Sequence, residues 1–149
     1  MIAVDTNILV YAHREDAPFH AAAENCMTQL AEGQAPWALL WPCLHEFLAI
    51  VTHPRIYAPP SPLERAMDQV EAWLESPSLA LLAESHGHWS ALRTLLRNGR
   101  VNGPRVHDAR IAALCIDHGV RELWSADCDF NRFSGLAVIN PLVQEQTAG

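Results

Sequence analysis

Met1-Ile2-Ala3-Val4-Asp5-Thr6-Asn7 is the stretch whose reading decides the fold. A short apolar run ends in an acid, and the acid is followed by two residues that favour helix caps. That order reads as a buried strand delivering Asp5 to a strand-to-helix turn. In an open parallel α/β sheet, ligands bind just beyond the carboxyl ends of the strands, at turns of this kind. Asp5 is therefore expected to face a site.

Working outward, the same pattern recurs. Trp37 to Trp41, Leu79 to Ala83 and Glu122 to Ser125 are short continuous apolar or strand-like runs, as expected of strands buried on both faces. Ala137 to Ile139 makes a short terminal strand. Between them lie helical segments: Thr6 to His13, then Phe19 to Glu32, opened by Pro18 and ended by Gly33. Pro42 starts another, which carries Leu44, Phe47, Leu48 and Val51 inward and Glu46 one turn in. Pro62 to Glu75 follows with Ser61 as its cap, then His88 to Asn98 with Gly99 as its C-cap, then His107 to His118 with Asp108 in its first turn. By the pattern of their neighbours, the five tryptophans are mostly core. Strand and helix alternate with no linker or repeat. The reading is one α/β domain over residues 1–143, with a mainly parallel sheet of about five strands and a polar tail at 144–149.

Composition narrows the chemistry. The chain has 149 residues, half of them hydrophobic, and no apolar stretch approaches the roughly 20 residues of a membrane span. It opens directly in a strand without a charged leader, so the cytoplasm is the expected location and no membrane is expected. Cys26, Cys43, Cys115 and Cys128 have no C-x-x-C spacing and read as reduced packing residues, with Cys128 the most exposed. The eight histidines form no zinc pattern and read as surface or capping residues. The net charge of −7 argues at first against a nucleic-acid partner. All ten basic residues are arginine, however, and Arg93, Arg97, Arg100, Arg105 and Arg110 fall in one short stretch. Arg93, Arg97, Arg100 and Arg105 suit phosphate oxygens, although a solvated helix face would read the same way.

Four acids carry the functional reading: Asp5, Glu46, Asp108 and Asp127. Three follow a predicted strand and Asp108 opens a helix, so all four can converge on one rim of a parallel sheet. Any one of these positions suits an ordinary helix cap; four at one rim point further. Carboxylates that close raise one another's pKa or bind a cation. Oxygen ligands select Mg²⁺ or Mn²⁺ over zinc, and such ions activate water against phosphodiesters. Thr6, Asn7 and Ser125 are placed to hold the carboxylates or waters. There is no P-loop, dinucleotide fingerprint or nucleophile elbow to suggest another chemistry.

These residues resemble the PIN domain. The carriers are Val4-Asp5-Thr6-Asn7, a lone Glu46 on the helix after the second strand, His107-Asp108-Ala109 opening a late helix, and Ser125-Ala126-Asp127-Cys128-Asp129-Phe130. More narrowly, they resemble the VapC-type ribonuclease toxins of toxin–antitoxin pairs. The resemblance implies a central parallel sheet between helices in three layers and Mg²⁺- or Mn²⁺-dependent endoribonuclease activity that inhibits translation and growth. Asp5, Glu46, Asp108 and Asp127 fall on the family's metal-binding and catalytic positions, with Glu46 acting directly or through a water. Thr6, Asn7 and Ser125 fall on its supporting positions, Ser125 standing where the family often has Thr. Asp129, two residues past Asp127, is an alternative ligand or a support. The implied partners are an RNA substrate, a VapB-like antitoxin, and a second copy in a homodimer, assembling into a heterotetramer or larger complex with the antitoxin. Two other functions fit the same residues: an RNA-binding module that blocks by occupancy, and a metal-dependent nuclease acting on DNA.

Overall fold

Five parallel strands form one sheet in the computed structural model, which describes residues 1–127 and 133–143. In chain order the elements are β1 (Ile2–Val4), α1 (Thr6–His13), α2 (His20–Glu32), β2 (Trp37–Leu40), α3 (Trp41–Val51), α4 (Leu63–Leu74), β3 (Leu79–Leu82), α5 (His88–Gly99), α6 (Arg105–Asp117), β4 (Glu122–Trp124) and β5 (Ala137–Ile139). The strand order is β3-β2-β1-β4-β5. Ile2 pairs with Trp37 on one side and with Glu122 on the other, so the stretch that opens the chain lies at the centre of the sheet.

The strand order assigns the helices to layers. Parallel crossovers are right-handed in nearly all proteins. Moving from β1 to β2 to β3 carries α1 to α4 onto one face, and the return from β3 past β1 to β4 carries α5 and α6 onto the other. The packing follows this: α1 meets α2 and α3, α3 meets α4, and α5 meets α6. The expected three-layer α/β/α arrangement is thus present. It also makes the carboxyl ends of β1 and β4 the point where the chain turns to opposite faces, which is where open sheets form a crevice.

Burial explains why the central strands read as unbroken apolar runs. Ala3, Val4 and all of β2 are fully buried. The Trp37 indole N–H is satisfied by Ser76 Oγ at 3.1 Å, which lets the largest side chain of the core sit without a stranded donor. Under α3, Phe47 meets Trp73 edge-on at 5.0 Å between ring centroids and His13 at 5.3 Å. Cys26, Cys43 and Cys115 are free and buried, as their spacing predicts.

Several local expectations are corrected. Pro18 does not open α2, because Phe19 intervenes in a left-handed conformation (φ 59°) and the helix starts at His20. Ser61 does not cap α4; its hydroxyl is taken by His13 Nε2 at 3.0 Å and by the Arg14 guanidinium at 3.2 Å. Gly99 is the last residue of α5, and Arg100 takes the left-handed position after it (φ 48°). β3 is an edge strand and only partly buried, with Leu81 36% exposed. Trp41 heads α3 instead of ending β2; it is 38% exposed, and Trp89 is 65% exposed. Cys128, Asp129 and the tail at 144–149 lie outside the described residues.

Because Phe47 is fully buried between two aromatic partners, Phe47→Ala is expected to cost about 3–5 kcal/mol in urea unfolding. Leu81→Ala on the edge strand is expected to cost less than about 1.5 kcal/mol. Equal losses at the two positions would show that the core is not centred under α3.

Candidate functional site

The site grows from the end of β1. The Asp5 backbone N–H still donates to Trp124 O at 2.9 Å, as the last rung between β1 and β4. Its side chain then turns back to cap α1, Oδ1 accepting from the Thr6 N–H at 2.8 Å. The other oxygen, Oδ2, accepts from the Ser125 hydroxyl at 2.8 Å. Asp5 is only 7% exposed, so both oxygens are fixed by groups that fold with the sheet.

Ser125 is the hub behind it. Its hydroxyl donates to Asp5 and accepts from Asn7 Nδ2 at 3.2 Å and from the Asp127 backbone N–H at 3.0 Å. One donor and two lone pairs are thereby all used. Asn7 closes the loop by accepting the Ala126 N–H at 3.1 Å through Oδ1. On the other flank the Thr6 hydroxyl donates to Glu46 Oε2 at 3.1 Å, tying α3 to the start of α1. The three supporting residues named from sequence therefore each hold an acid or the loop that carries one.

Asp5, Glu46, Asp108 and Asp127 line one cavity of about 630 Å³, together with Thr6 and Asn7. Glu46 reaches it from the second turn of α3 and Asp108 from the first turn of α6. Ser125 stands behind this wall, 1% exposed. The four predicted acids thus share one space, although they come from four separate segments of the chain. Arg93, Arg97, Arg100 and Arg105 do not line it.

Three further residues of the cavity were missed. His45 and His107, read from sequence as surface or capping histidines, face it, and so does Arg110, whose Nε donates to Glu84 Oε1 at 2.7 Å. The available signal was adjacency: each histidine immediately precedes one of the acids, in His45-Glu46 and His107-Asp108.

The electrostatics are those of crowded carboxylates. Desolvation is the largest cause pushing Asp5 up from 3.8 to about 6; the Ser125 and Thr6 hydrogen bonds pull the other way, and the charges of Glu46 and Asp127 add to the rise. Cys43, whose thiol faces Asp5 Oδ1 at 3.9 Å, is raised well above its ordinary value by its own burial and by that same charge. It stays a thiol and adds no further charge. The donor set is all oxygen and matches a hard divalent cation. Among the described residues, no three His, Cys, Asp or Glu side chains form a ready-made ligand group. The acids share the cavity without closing on a common point.

Comparison with known proteins agrees with this architecture. Residues 2–136 match the PIN domain family. The chain is 35% identical over 142 residues to ribonuclease VapC43 of Mycobacterium tuberculosis, covering 95% of this chain and 96% of that protein. It is 31% identical over 137 residues to ribonuclease VapC48 of the same organism, covering 92% and 94%. In fold it is similar to the crystal structure of VapBC2 from Rickettsia felis bound to a DNA fragment from their promoter, with a TM-score of 0.67, 20% identity, and 93% of this chain and 98% of that one covered. It is also similar to VapC20 of Mycobacterium tuberculosis, a sarcin–ricin loop cleaving toxin, with a TM-score of 0.63, 17% identity, and 88% and 93% covered. With residues 2–136 matching the family and more than nine-tenths of its length aligned to VapC ribonucleases at 31% and 35% identity, the chain belongs to the PIN domain family and, within it, to the VapC proteins.

Proposed function

We propose that this chain is an Mg²⁺- or Mn²⁺-dependent endoribonuclease, the toxin of a VapBC-like pair, held in check by a VapB-like antitoxin. The observation that carries the reading is the single cavity lined by Asp5, Glu46, Asp108 and Asp127 at the carboxyl ends of β1 and β4. The relatives' names as VapC ribonucleases support the choice of RNA, since nothing in the cavity itself reads a 2′-hydroxyl.

In this mechanism Asp5, Asp108 and Asp127 would hold the ion and Glu46 would complete the set. The chemistry supplied there by a divalent ion would be a lowered water pKa and charge neutralisation at the phosphate. The protein's own residues do the rest. Ser125 and the Thr6 N–H fix Asp5 so that no side-chain search precedes binding. Thr6 aims Glu46 into the cavity, and Asn7 and Ser125 hold the backbone from which Asp127 projects. His45 and His107 stand in the same cavity, where their ring nitrogens can donate or accept hydrogen bonds. Self-association into a homodimer, and into a larger complex with the antitoxin, accompanies this reading.

Asp5→Asn keeps the helix cap, because asparagine caps as well as aspartate, but it removes the charge. Cleavage of a total-RNA pool is expected to fall at least about 100-fold in this variant and to stop in EDTA, with cut positions mapped at RNA ends. Full activity of Asp5→Asn in Mg²⁺ would refute the mechanism.

The raised Asp5 value has a stability consequence for protein freed of divalent ions. Folded Asp5 titrates near 6 and unfolded Asp5 near 3.8, so the folded state favours the protonated acid. Below about pH 4 the group costs nothing; as pH rises through 6 it destabilises the fold, by up to about 3 kcal/mol. The difference in unfolding free energy between the parent chain and Asp5→Asn, measured by urea denaturation in EDTA, is expected to move against the parent from pH 4 to pH 7. A difference that stays flat would contradict the burial argument.

A further inference from the structure

The outer face of α5 is unlike the rest of the surface. From Ser85 to His107 the chain has no acid and four arginines, while all seventeen acids and the other six arginines lie elsewhere. Within α5, Trp89, Arg93 and Arg97 recur at i, i+4 and i+8, so they stand on one face along about 12 Å of helix. All three are exposed, and the Trp89 ring is the most exposed large hydrophobic side chain described. Together with Ser90, Thr94 and Asn98 they line a hollow of about 330 Å³. Among the described residues, no ion pair joins Arg93 or Arg97. The Thr94 hydroxyl is taken up within the helix, donating to Ser90 O at 3.0 Å, so the guanidinium groups are the charged groups of this hollow.

An indole left in water beside two uncompensated guanidinium groups is poor design for a solvated helix face, where alternating charges are usual. It is the combination that single-stranded nucleic acid uses: a flat aromatic surface for a base and planar cations for the phosphates. A helix groove for a protein partner would instead ask for a continuous apolar strip, and here Arg93 and Arg97 interrupt it. The chain also connects this helix to the element that carries one of the acids. The C-terminal end of α5 passes through Arg100 and a short loop to Arg105, which opens α6 one turn before Asp108 of the acid cavity.

Resting on the ribonuclease reading above, we propose that Trp89, Arg93 and Arg97 form a track that holds single-stranded RNA outside the acid cavity, the indole stacking a base and the arginines holding phosphates. Trp89 and the two arginines are positioning residues, distant from the scissile bond. They select unpaired RNA because a base inside a duplex has no free face to offer the indole.

The test uses the full-length chain carrying Asp5→Asn in EDTA, so that RNA stays intact, with anisotropy of a labelled mixed-sequence RNA strand and of the same strand annealed to its complement. Adding Trp89→Ala is expected to weaken single-strand binding roughly 10-fold and leave duplex binding unchanged, with Trp89→Phe restoring most of the loss. Replacing Arg93 and Arg97 by alanine is expected to lower the salt slope of single-strand binding by about 1.4. The track is overturned if Trp89→Ala binds the single strand as its parent does, or loses both forms equally. It is also overturned if sedimentation shows that Trp89→Ala splits a stable oligomer, which would make this face a protein interface. Cleavage by the chain with Asp5 intact, in Mg²⁺, separates the two readings. Uncut RNA with Trp89-dependent binding would sink the nuclease and leave the track, whereas metal-dependent cutting with Trp89-independent binding would sink the track alone.

Discussion

One carboxylate, caught between the first N–H of α1 and the hydroxyl of Ser125, ties together most of what this molecule is. Asp5 can occupy that place only because β1 is central in the sheet and buried, so that the chain emerges from it at the point where neighbouring connections diverge to opposite faces. The bonds that hold the acid are bonds of folding, a helix cap and a contact between two strand ends. A loosening of the β1–β4 rung would therefore disturb the cap, the hub at Ser125 and the loop carrying Asp127 together. The site is rigid because it is made from the framework itself.

This economy has an opposing cost. Burying Asp5 beside the charges of Glu46 and Asp127 works against folding, and desolvation is the largest part of that cost. The offset comes from the aromatic core, where Trp37, Phe47 and Trp73 bury large surfaces and Ser76 satisfies the Trp37 indole. The functional end of the sheet is the electrostatically unfavourable end, and the aromatic packing offsets its cost.

The sequence made some of this legible and hid the rest for physical reasons. Asp5, Glu46, Asp108 and Asp127 could be read because each sits at a strand end or in the first two turns of a helix, where local pattern fixes direction along the sheet. Thr6, Asn7 and Ser125 could be read because short polar side chains beside such acids have few other uses. His45 and His107 were passed over because a histidine looks the same in a cavity wall as on a surface when its neighbours across the fold are unknown. Trp89 was read with the core tryptophans because its neighbours are apolar, yet its place one turn before Arg93 turns it outward with the arginine. The terminal choices at Phe19, Ser61 and Gly99 failed in a different way. Tertiary hydrogen bonds and helix-end geometry claimed these residues against their local preferences.

The acid-free stretch from Ser85 to His107 also divides the charge unevenly, since four of the ten arginines lie there and the remainder of the chain is more negative than the total of −7 suggests. A polyanion is expected to meet less repulsion at the arginine-bearing stretch than elsewhere. Because screening over about 8–10 Å weakens the repulsive and attractive parts together, encounter rates should depend less steeply on ionic strength than they would for a uniformly basic protein.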